Sequence, residues 1–257
     1  MVSTPSGADR YGPREAESYD HESAYDKGSR ALHRTYLRDV VLHLFPGPVR
    51  FLDLGCGTGY LTEAFWEASL GARGVAVDGS DAMLHRARAR LAARGGAVEF
   101  RHALLQRIDW EALPRFDIVF SSLAIHFLDD GEKLELLRRA RAQLAPGGVL
   151  VLFGQHVPRS PWAAGLVRGL ACRDIQRRLR ESLGLDPEME LDLEELRLER
   201  IMDEDARMRR DEGGHDLDMD EYRSLLRRAG FGEVAAVFQE TRYFGMVAAQ
   251  THGAEES

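Results

Sequence analysis

The chain has 257 residues, of which 44% are hydrophobic and 30% are charged. This balance is typical of a soluble globular protein, and the length suits one α/β domain with an appendage. It excludes a disordered chain, a collagen-like repeat and a disulfide-stapled mini-protein. The formal net charge of −8 gives a nucleic-acid partner no help from bulk electrostatics, so we expect no such partner. No apolar run is long enough to span a bilayer, so we expect no membrane partner either.

Cysteine usage and the first residues bear on the compartment. Cys56 and Cys172 lie far apart and neither belongs to a CxxC pair, which argues against a disulfide framework or a zinc site. Residues 1–17 are polar and lack the apolar core of a secretory signal. These features predict a cytoplasmic protein without a bound metal.

The chain opens with a polar segment and then takes up a regular rhythm. Residues 1–18 have little to bury, which predicts a loose arm, and we assign residues 1–27 to this N-terminal arm. A helical stripe of apolar residues follows from about residue 28 to residue 44 and ends at a Pro-Gly-Pro sequence. Five apolar runs then alternate with helical segments: we predict strands at residues 49–54, 74–77, 97–102, 116–121 and 149–154, and helices at residues 60–70, 81–93 and 131–144.

Strands alternating with helices of this length imply right-handed βαβ units. The expected fold is α/β, a doubly wound and mostly parallel sheet of Rossmann-like type with helices on both faces. We assign residues 28–159 to this core. In such sheets ligands bind at the carboxyl ends of the strands, so functional motifs should lie there.

Residues 160–214 break the rhythm and carry runs of acids and arginines. We predict an inserted helical cap here, and a dimer interface is the competing interpretation, so a homodimer stays open as a partner. Residues 215–257 complete the core with a helix at about 219–229 and two strands near 233–239 and 242–250, paired as an antiparallel hairpin. The residues at helical spacing that would form the apolar face of the cap are Leu185, Met189, Leu193, Leu196 and Ile201.

The strongest motif is a glycine-rich turn after the first strand, with Gly55, Gly57 and Gly59 at alternate positions. Glycine allows a tight turn and a close approach of the backbone to a ligand, and the following helix exposes its first N–H groups. Asp78 ends the next strand, where an acid can accept hydrogen bonds from both hydroxyls of a ribose. The order of strand, glycines, helix, strand and acid predicts a nucleoside-binding site. The competing interpretation is a purely structural turn with an acid that binds no ligand. Tyr60 occupies the third glycine position of the dinucleotide fingerprint, which argues against a nicotinamide-dependent oxidoreductase.

These residues carry a family resemblance. The sequence from Asp53 to Gly59 resembles the first motif of the class I S-adenosylmethionine (SAM)-dependent methyltransferases, and Asp78-Gly79-Ser80-x-x-Met83-Leu84 resembles their second motif. Residues 116–121 resemble the fourth-strand motif, and residues 144–148 resemble the turn before the fifth strand. The resemblance covers residues 45–155 closely and 219–250 loosely.

The resemblance implies SAM as cofactor and gives roles to particular residues. Gly55 and Gly57 would line the methionine part, Asp53 would support their loop, and Asp78 would hold the ribose. Met83 would pack on the adenine, and Ser121 would face the methionine end.

Two further contacts follow from the resemblance less directly. The family often has an acid after the third strand, but Leu104 stands there, which leaves backbone atoms near Leu104 and Leu105 to serve the adenine edge. An N-terminal arm of this family folds over the cofactor, so Tyr19 or Tyr25 would border the sulfonium. An aromatic residue that merely anchors the arm is the competing interpretation.

Two histidines are candidates for catalysis. His126 follows the fourth strand and His156 the fifth, so either can act as a general base or a substrate contact. Hydrogen-bonded structural histidines are the alternative. Arg159 and Arg242 are candidates to pair with an acidic substrate group. The alternative is that both arginines are simply exposed to solvent.

The function that these observations favour is transfer of the SAM methyl group to a nucleophilic atom of a small molecule. One alternative keeps the cofactor but changes the chemistry to intramolecular alkylation or a lyase reaction. The other is a non-catalytic SAM-binding module.

Overall fold

The computed structural model describes residues 12–22, 27–94, 97–183 and 216–250, together with residues 203, 207, 210 and 214. The strands are β1 (Arg50–Leu54), β2 (Arg73–Asp78), β3 (Val98–His102), β4 (Phe116–Ser122), β5 (Leu144–Gln155), β6 (Glu233–Glu240) and β7 (Tyr243–Ala249). The helices are α1 (Pro13–Glu22), α2 (Lys27–Leu44), α3 (Tyr60–Ala68), α4 (Asp81–Leu91), α5 (Asp130–Ala142), α6 (Pro161–Leu183) and α7 (Met219–Arg228). No helix in these ranges is long and apolar enough to cross a bilayer.

All seven strands form one sheet in the order β3-β2-β1-β4-β5-β7-β6. Strands β1 to β5 are parallel, and β7 runs antiparallel to both β5 and β6. The predicted fold class is confirmed: the sheet is doubly wound and mostly parallel, and it ends in an antiparallel hairpin.

The sheet is buried on both faces because its central strands are apolar at successive positions. Phe51 points into a core shared with α2 and α3, whereas its neighbour Leu52 points into a core shared with α5 and α7. Successive side chains of a strand face opposite sides, so a continuous apolar run serves both cores. This two-sided burial fixes the strand ends in space.

The carboxyl ends of the parallel strands meet at one edge of the sheet. Because β7 is antiparallel, its first residue lies at this same edge, where Tyr243 is opposite Gln155 at the end of β5. The turn between β6 and β7 therefore lies beside the ends of β4 and β5.

Two boundaries differ from the sequence predictions. The predicted loose arm is wrong for residues 13–18, because α1 begins at Pro13 and buries Ala16 against the body. Proline suits the first turn of a helix, where its missing N–H is not needed. Strand β5 begins at Leu144 rather than at Val149, since Leu144 pairs with Phe116 and a register shift accommodates the intervening glycines.

The segment assigned to a cap begins with α6, which continues as one helix from Pro161 to Leu183. The apolar residues expected to form the face of the cap, from Leu185 to Ile201, lie outside the described residues.

Candidate active site at the carboxyl edge of the sheet

The glycine loop after β1 adopts a backbone that other residues rarely take. Gly55 has φ 77°, and a Cβ there would collide with the Cβ of Ala124. Gly57 has φ 53°, and nothing lies within 4 Å of the position that its Cβ would take. The loop is thus closed against the protein at Gly55 and open at Gly57, so a ligand can approach the backbone at Gly57.

Asp78 joins the loop to the end of β2. Its carboxylate accepts hydrogen bonds from the N–H of Gly57 (2.8 Å) and the N–H of Ser80 (2.8 Å). Burial raises the pKa of Asp78, although these hydrogen bonds act in the opposite direction. A carboxylate offers about four lone-pair sites, so Asp78 keeps acceptor capacity for two ribose hydroxyls. Its chemistry fits the nucleoside of SAM.

Asp53 lies beneath the loop and is fully buried. Its carboxyl accepts a hydrogen bond from the hydroxyl of Thr62 at 2.5 Å, which ties β1 to α3. Burial raises the pKa of Asp53 to about 7, and the charge of Asp78 adds to this shift.

A cavity of about 50 Å³ adjoins the loop. Arg30 of α2 lines it, with its guanidinium carbon 5.1 Å from the ring centre of Tyr19 and 4.6 Å from that of Tyr60. Tyr25 lies outside the described residues. The lining residues are Tyr19, Arg30, Asp53, Gly55, Cys56, Gly57, Thr58, Tyr60, Leu61, Ser122 and Leu123.

The end of β4 contributes Ser122 to this cavity, whereas the sequence pointed to Ser121. The hydroxyl of Ser121 is buried and donates to the carbonyl of Leu54 at 2.7 Å. The neighbouring Ser122 faces the other way, since strand side chains alternate, and its Oγ lies 2.9 Å from Nδ1 of His33.

His33 of α2 is a partner that the sequence analysis did not single out. Its ring is fully buried and stacks on Phe153, with centroids 4.8 Å apart. Burial lowers the pKa of His33 to about 3, and the nearby Arg30 lowers it further in the same direction. A neutral imidazole thus holds the Ser122 hydroxyl at the cavity. Because His33 lies on α2, 89 residues before Ser122, no local sequence pattern indicated this contact.

The residues expected near the adenine lie around the end of β2. Met83 is buried in the first turn of α4, and its N–H donates to the hydroxyl of Ser80 at 3.2 Å. The backbone N–H of Ala103 donates to the carbonyl of Asp78 at 3.0 Å. Leu104 and Leu105 therefore follow β3 close to Asp78, and their contact with the adenine stays a prediction.

The two histidine candidates occupy different places. His126 is buried in a short 3-10 turn after β4, and its ring packs on Phe127 at 4.4 Å between centroids. It is not among the residues that line the cavity at the glycine loop or the cavity at the end of β5. His156 lines the larger cavity, and its Nε2 lies 2.8 Å from the carbonyl oxygen of Thr241. Burial lowers the pKa of His156.

This larger cavity, of about 430 Å³, opens where β5 ends. Its volume is in the range of small-molecule sites, and its walls combine apolar side chains with arginines. Among the described residues, no group of three histidine, cysteine or acidic side chains could hold a metal ion. The lining residues are Gln155, His156, Val157, Pro158, Arg159, Ala164, Gly165, Val167, Arg168, Asp203, Arg210, Asp216 and Arg242.

Comparison with known proteins agrees with this architecture. Residues 51–148 match the family described as "Methyltransferase domain". A malonyl-[acyl-carrier protein] O-methyltransferase of Halorhodospira halophila is 33% identical over 188 residues, which are 67% of this chain and 59% of that protein. A ubiquinone biosynthesis O-methyltransferase of a Caulobacter species is 34% identical over 105 residues, 40% of each chain. The chain thus spans about half the length of the curated relatives it matches.

Solved structures share the fold at low sequence identity. An O-methyltransferase family protein from Burkholderia thailandensis has a TM-score of 0.67 and 17% identity, covering 96% of this chain and 64% of that chain. The N-terminal domain of EvdMO1, solved in the presence of SAH and D-fucose, has a TM-score of 0.55 and 19% identity, covering 84% of this chain and 82% of that chain. Since the matched family, the sheet topology and the loop after β1 agree, residues 51–148 form a methyltransferase domain of the class I SAM-dependent type, and the cofactor of this domain is SAM.

Proposed function

We propose that the protein transfers a methyl group from SAM to an oxygen atom of a small molecule. The observation that carries this proposal is the placement of two sites along one sheet edge. The glycine loop and Asp78 follow β1 and β2, and the cavity of about 430 Å³ follows β5, with β4 between them. Two of the relatives are named O-methyltransferases, one of ubiquinone biosynthesis and one of malonyl-[acyl-carrier protein], and these names support oxygen as the acceptor.

When bound, SAM supplies an electrophilic methyl group on a sulfonium. The residues of this chain then have three tasks, which are to bind, to orient and to exclude water. Asp78 accepts hydrogen bonds from the ribose, and the backbone at Gly55 and Gly57 contacts the methionine part. Met83 packs on the adenine, and Tyr19 with Arg30 closes the loop from the outside.

His126 and His156 have different roles in this proposal. His156 lines the larger cavity, although its Nε2 is engaged with the backbone of Thr241. His126 supports the chain after β4, next to the site. We therefore favour His156 over His126 as the histidine nearer to substrate.

We also propose that residues 160–214 form a cap over this edge. Helix α6 leaves the sheet directly after β5, and Ala164, Gly165, Val167 and Arg168 all line the larger cavity. Asp203 and Arg210, which lie further along the segment, line the same cavity. The segment therefore contributes much of the wall around a bound substrate.

We further propose that the protein acts in the cytoplasm on a small molecule and binds no nucleic acid. The net charge of −8 disfavours contact with a phosphate backbone. A nucleic acid that bound at physiological salt would contradict this part.

The substitution Asp78→Asn tests the cofactor site. We expect SAM affinity to fall by about 1–3 kcal/mol, because the variant loses the charge that strengthens its hydrogen bonds to the ribose. Isothermal titration calorimetry gives the affinity, and circular dichroism checks the fold. Asp81→Asn is the matched control, since Asp81 lies in the same turn but its side chain is 74% exposed. If the Asp78 variant and the wild type bound SAM with equal affinity, Asp78 would not contact the cofactor.

The reaction itself is tested by incubating the protein with methyl-labelled SAM and a pool of small metabolites. We expect S-adenosylhomocysteine and labelled methylated products by mass spectrometry. Methylthioadenosine in place of S-adenosylhomocysteine would indicate the alkylation or lyase chemistry instead. Tight SAM binding without turnover on any pool would indicate a binding module.

A further inference from the structure

Ser122, the last residue of β4, has a hydroxyl that the protein holds through one contact. The residue is half-buried and lines the cavity at the glycine loop. Its Oγ lies 2.9 Å from Nδ1 of His33, and within the described ranges no second hydrogen bond of this hydroxyl is found. A hydroxyl has one donor and two acceptor sites, so Ser122 keeps capacity for a ligand in the cavity.

The position of this hydroxyl is fixed from β5. Ser122 pairs with Phe153 in the sheet, and the N–H of Leu123 donates to the carbonyl of Phe153 at 3.1 Å. Leu123 has φ 52°, a conformation that persists in a residue other than glycine only where its surroundings enforce it. The ring of the same Phe153 stacks on His33. One residue of β5 thus holds both the serine and the histidine in place.

The second ring nitrogen of His33 decides the direction of the hydrogen bond. This Nε2 is buried and has no hydrogen-bond partner in the part of the chain that the structure describes. Buried N–H groups without an acceptor are rare, and buried acceptors without a donor are less so. Because a neutral imidazole carries a single N–H, its proton belongs on Nδ1. This N–H then donates to Oγ of Ser122, and the hydroxyl proton of Ser122 is left to point toward the cavity.

The charges around this hydroxyl favour an anionic acceptor. Arg30 lines the same cavity, and burial together with the charge of Arg30 lowers the pKa of His33 to about 3, which keeps its ring neutral. Asp53 is the acid among the lining residues, and burial raises its pKa to about 7, so much of its population is neutral at pH 7. The carboxylate of the methionine part is the one anionic group of SAM.

The spacing along the sheet edge suits this group. Asp78, whose chemistry fits the ribose, ends β2, and Ser122 ends β4, with β1 between the two strands. Since neighbouring strands lie about 4.8 Å apart, about 10 Å separates these positions. The methionine chain of SAM leaves the ribose on one side and carries its carboxylate at the far end. A ribose at Asp78 therefore allows the carboxylate to reach Ser122 across β1.

We propose that the hydroxyl of Ser122 donates a hydrogen bond to the carboxylate of SAM, and that His33 is the positioning residue that gives the hydroxyl this direction. The inference concerns the cofactor and goes beyond the proposed function, because it holds whichever acceptor atom is methylated.

SAM and decarboxylated SAM, which differ only by the carboxylate, test the contact. Both are titrated by calorimetry without any acceptor, so the result is independent of the labelling experiment that tests the reaction. We expect Ser122→Ala to weaken SAM tenfold to a hundredfold, the range for a hydrogen bond to a charged group, and decarboxylated SAM by less than twofold. An equal loss for both ligands, or no loss for SAM, overturns the inference.

Ser69→Ala is the matched control. Ser69 is also buried, and its hydroxyl donates to the carbonyl of Gly47 at 3.4 Å, at the opposite edge of the sheet. This variant should bind both ligands like the wild type.

A double-mutant cycle tests the positioning role. His33→Phe keeps a ring on Phe153 but removes the donor, so it should weaken SAM at least threefold and leave decarboxylated SAM within twofold. In the Ser122→Ala background the same substitution should have no further effect on SAM. His33→Asn, which retains an N–H near the place of Nδ1, should recover most of the affinity. A merely structural histidine would instead weaken both ligands alike, with the same loss in both backgrounds.

The tautomer itself is visible by nuclear magnetic resonance. Long-range ¹H–¹⁵N spectra of the protein without ligand identify the protonated nitrogen of each imidazole, and the signals of His33 are those that His33→Asn removes. We expect the proton on Nδ1. A proton on Nε2 would make Ser122 the donor to His33, and the inference would then fail.

Discussion

A single buried histidine gives the protein an unusual acid response. His33 projects from α2 toward the sheet, where it forms a hydrogen bond with Ser122 and stacks on Phe153. Its pKa is about 3 in the folded state and 6.5 without the fold. Between these values the unfolded chain binds a proton that the folded chain rejects, so the free energy of unfolding decreases as the pH falls.

We predict that His33→Phe removes this dependence. Relative to the variant, the wild type should lose about 1.4 kcal/mol of unfolding free energy per pH unit below pH 6.5. Phenylalanine keeps the stack on Phe153 and cannot be protonated. Urea denaturation at pH 7.0, 6.0 and 5.0 measures the difference, and His85→Phe, at an exposed position of α4, is the control. If the unfolding free energy changed with pH equally in the His33 variant and the wild type, the prediction would be contradicted.

The comparison with a variant is needed because Asp53 acts in the opposite direction. Its pKa is about 7 in the folded state and 3.8 outside it. Between these values the folded chain holds a proton that the unfolded chain has lost, so Asp53 lowers the unfolding free energy as the pH rises. The two groups partly cancel in the wild type, but the Asp53 contribution is common to wild type and His33 variant.

At the scale of elements, α6 joins the sheet to the proposed cap. One face of this helix lines the larger cavity, whereas Trp162, Leu166 and Leu170 on another face are exposed. The helix also contains Gly165 and Gly169, and nothing lies within 4 Å of the Cβ position of either glycine. Only Gly165 lines the cavity.

These two glycines provide a matched test of the cap. Gly165→Leu should lower the rate of methyl transfer from labelled SAM to the metabolite pool tenfold or more, because the new side chain enters the cavity. Gly169→Leu should leave this rate unchanged and raise the unfolding free energy by up to about 1 kcal/mol, since leucine favours a helix more than glycine does. Equal rates in the two variants, together with dissociation of a dimer in the Gly169 variant by analytical ultracentrifugation, would favour the interface interpretation.

The whole molecule is held by cores on both faces of the sheet. In one of them Phe65 is fully buried, with its ring centroid 4.6 Å from that of Phe51 and 5.4 Å from that of Phe120. Phe65→Ala should lower the unfolding free energy by about 3–5 kcal/mol, because it removes buried surface and leaves a cavity. Urea denaturation measures this loss. Leu70→Ala, at a position 83% exposed, should stay within about 0.5 kcal/mol, and a similar loss in both variants would contradict the role of the aromatic cluster.

The sequence predicted most of this architecture because the signals were local. Each βα unit carries an apolar run followed by a helical pattern, so the strands and helices of the core were placed to within a few residues. Helix α1 was missed because its stability comes from burying Ala16 rather than from its own propensity. The start of β5 was missed because Pro146 and two glycines read as a stop, whereas the bulge accommodates them.

The candidate site was predictable only where its residues lie in one stretch of chain. Gly57 and Asp78 belong to motifs, and the structure joins them by a hydrogen bond. The contact of His33 with Ser122 and that of His156 with the turn at Thr241 each join residues more than 80 positions apart. No periodicity or spacing in the sequence encodes such pairs, because they exist only once the sheet has formed.

The placement of β7 between β5 and β6 has a consequence for biosynthesis. Because β6 pairs with β7 and not with β5, β6 emerges from the ribosome before its only partner strand in the described sheet. The parallel strands and the glycine loop can assemble earlier, since domains acquire structure from the N-terminal side during synthesis. Strands β6 and β7 can therefore join the sheet only together and last, and the turn between them then takes its place beside the end of β5.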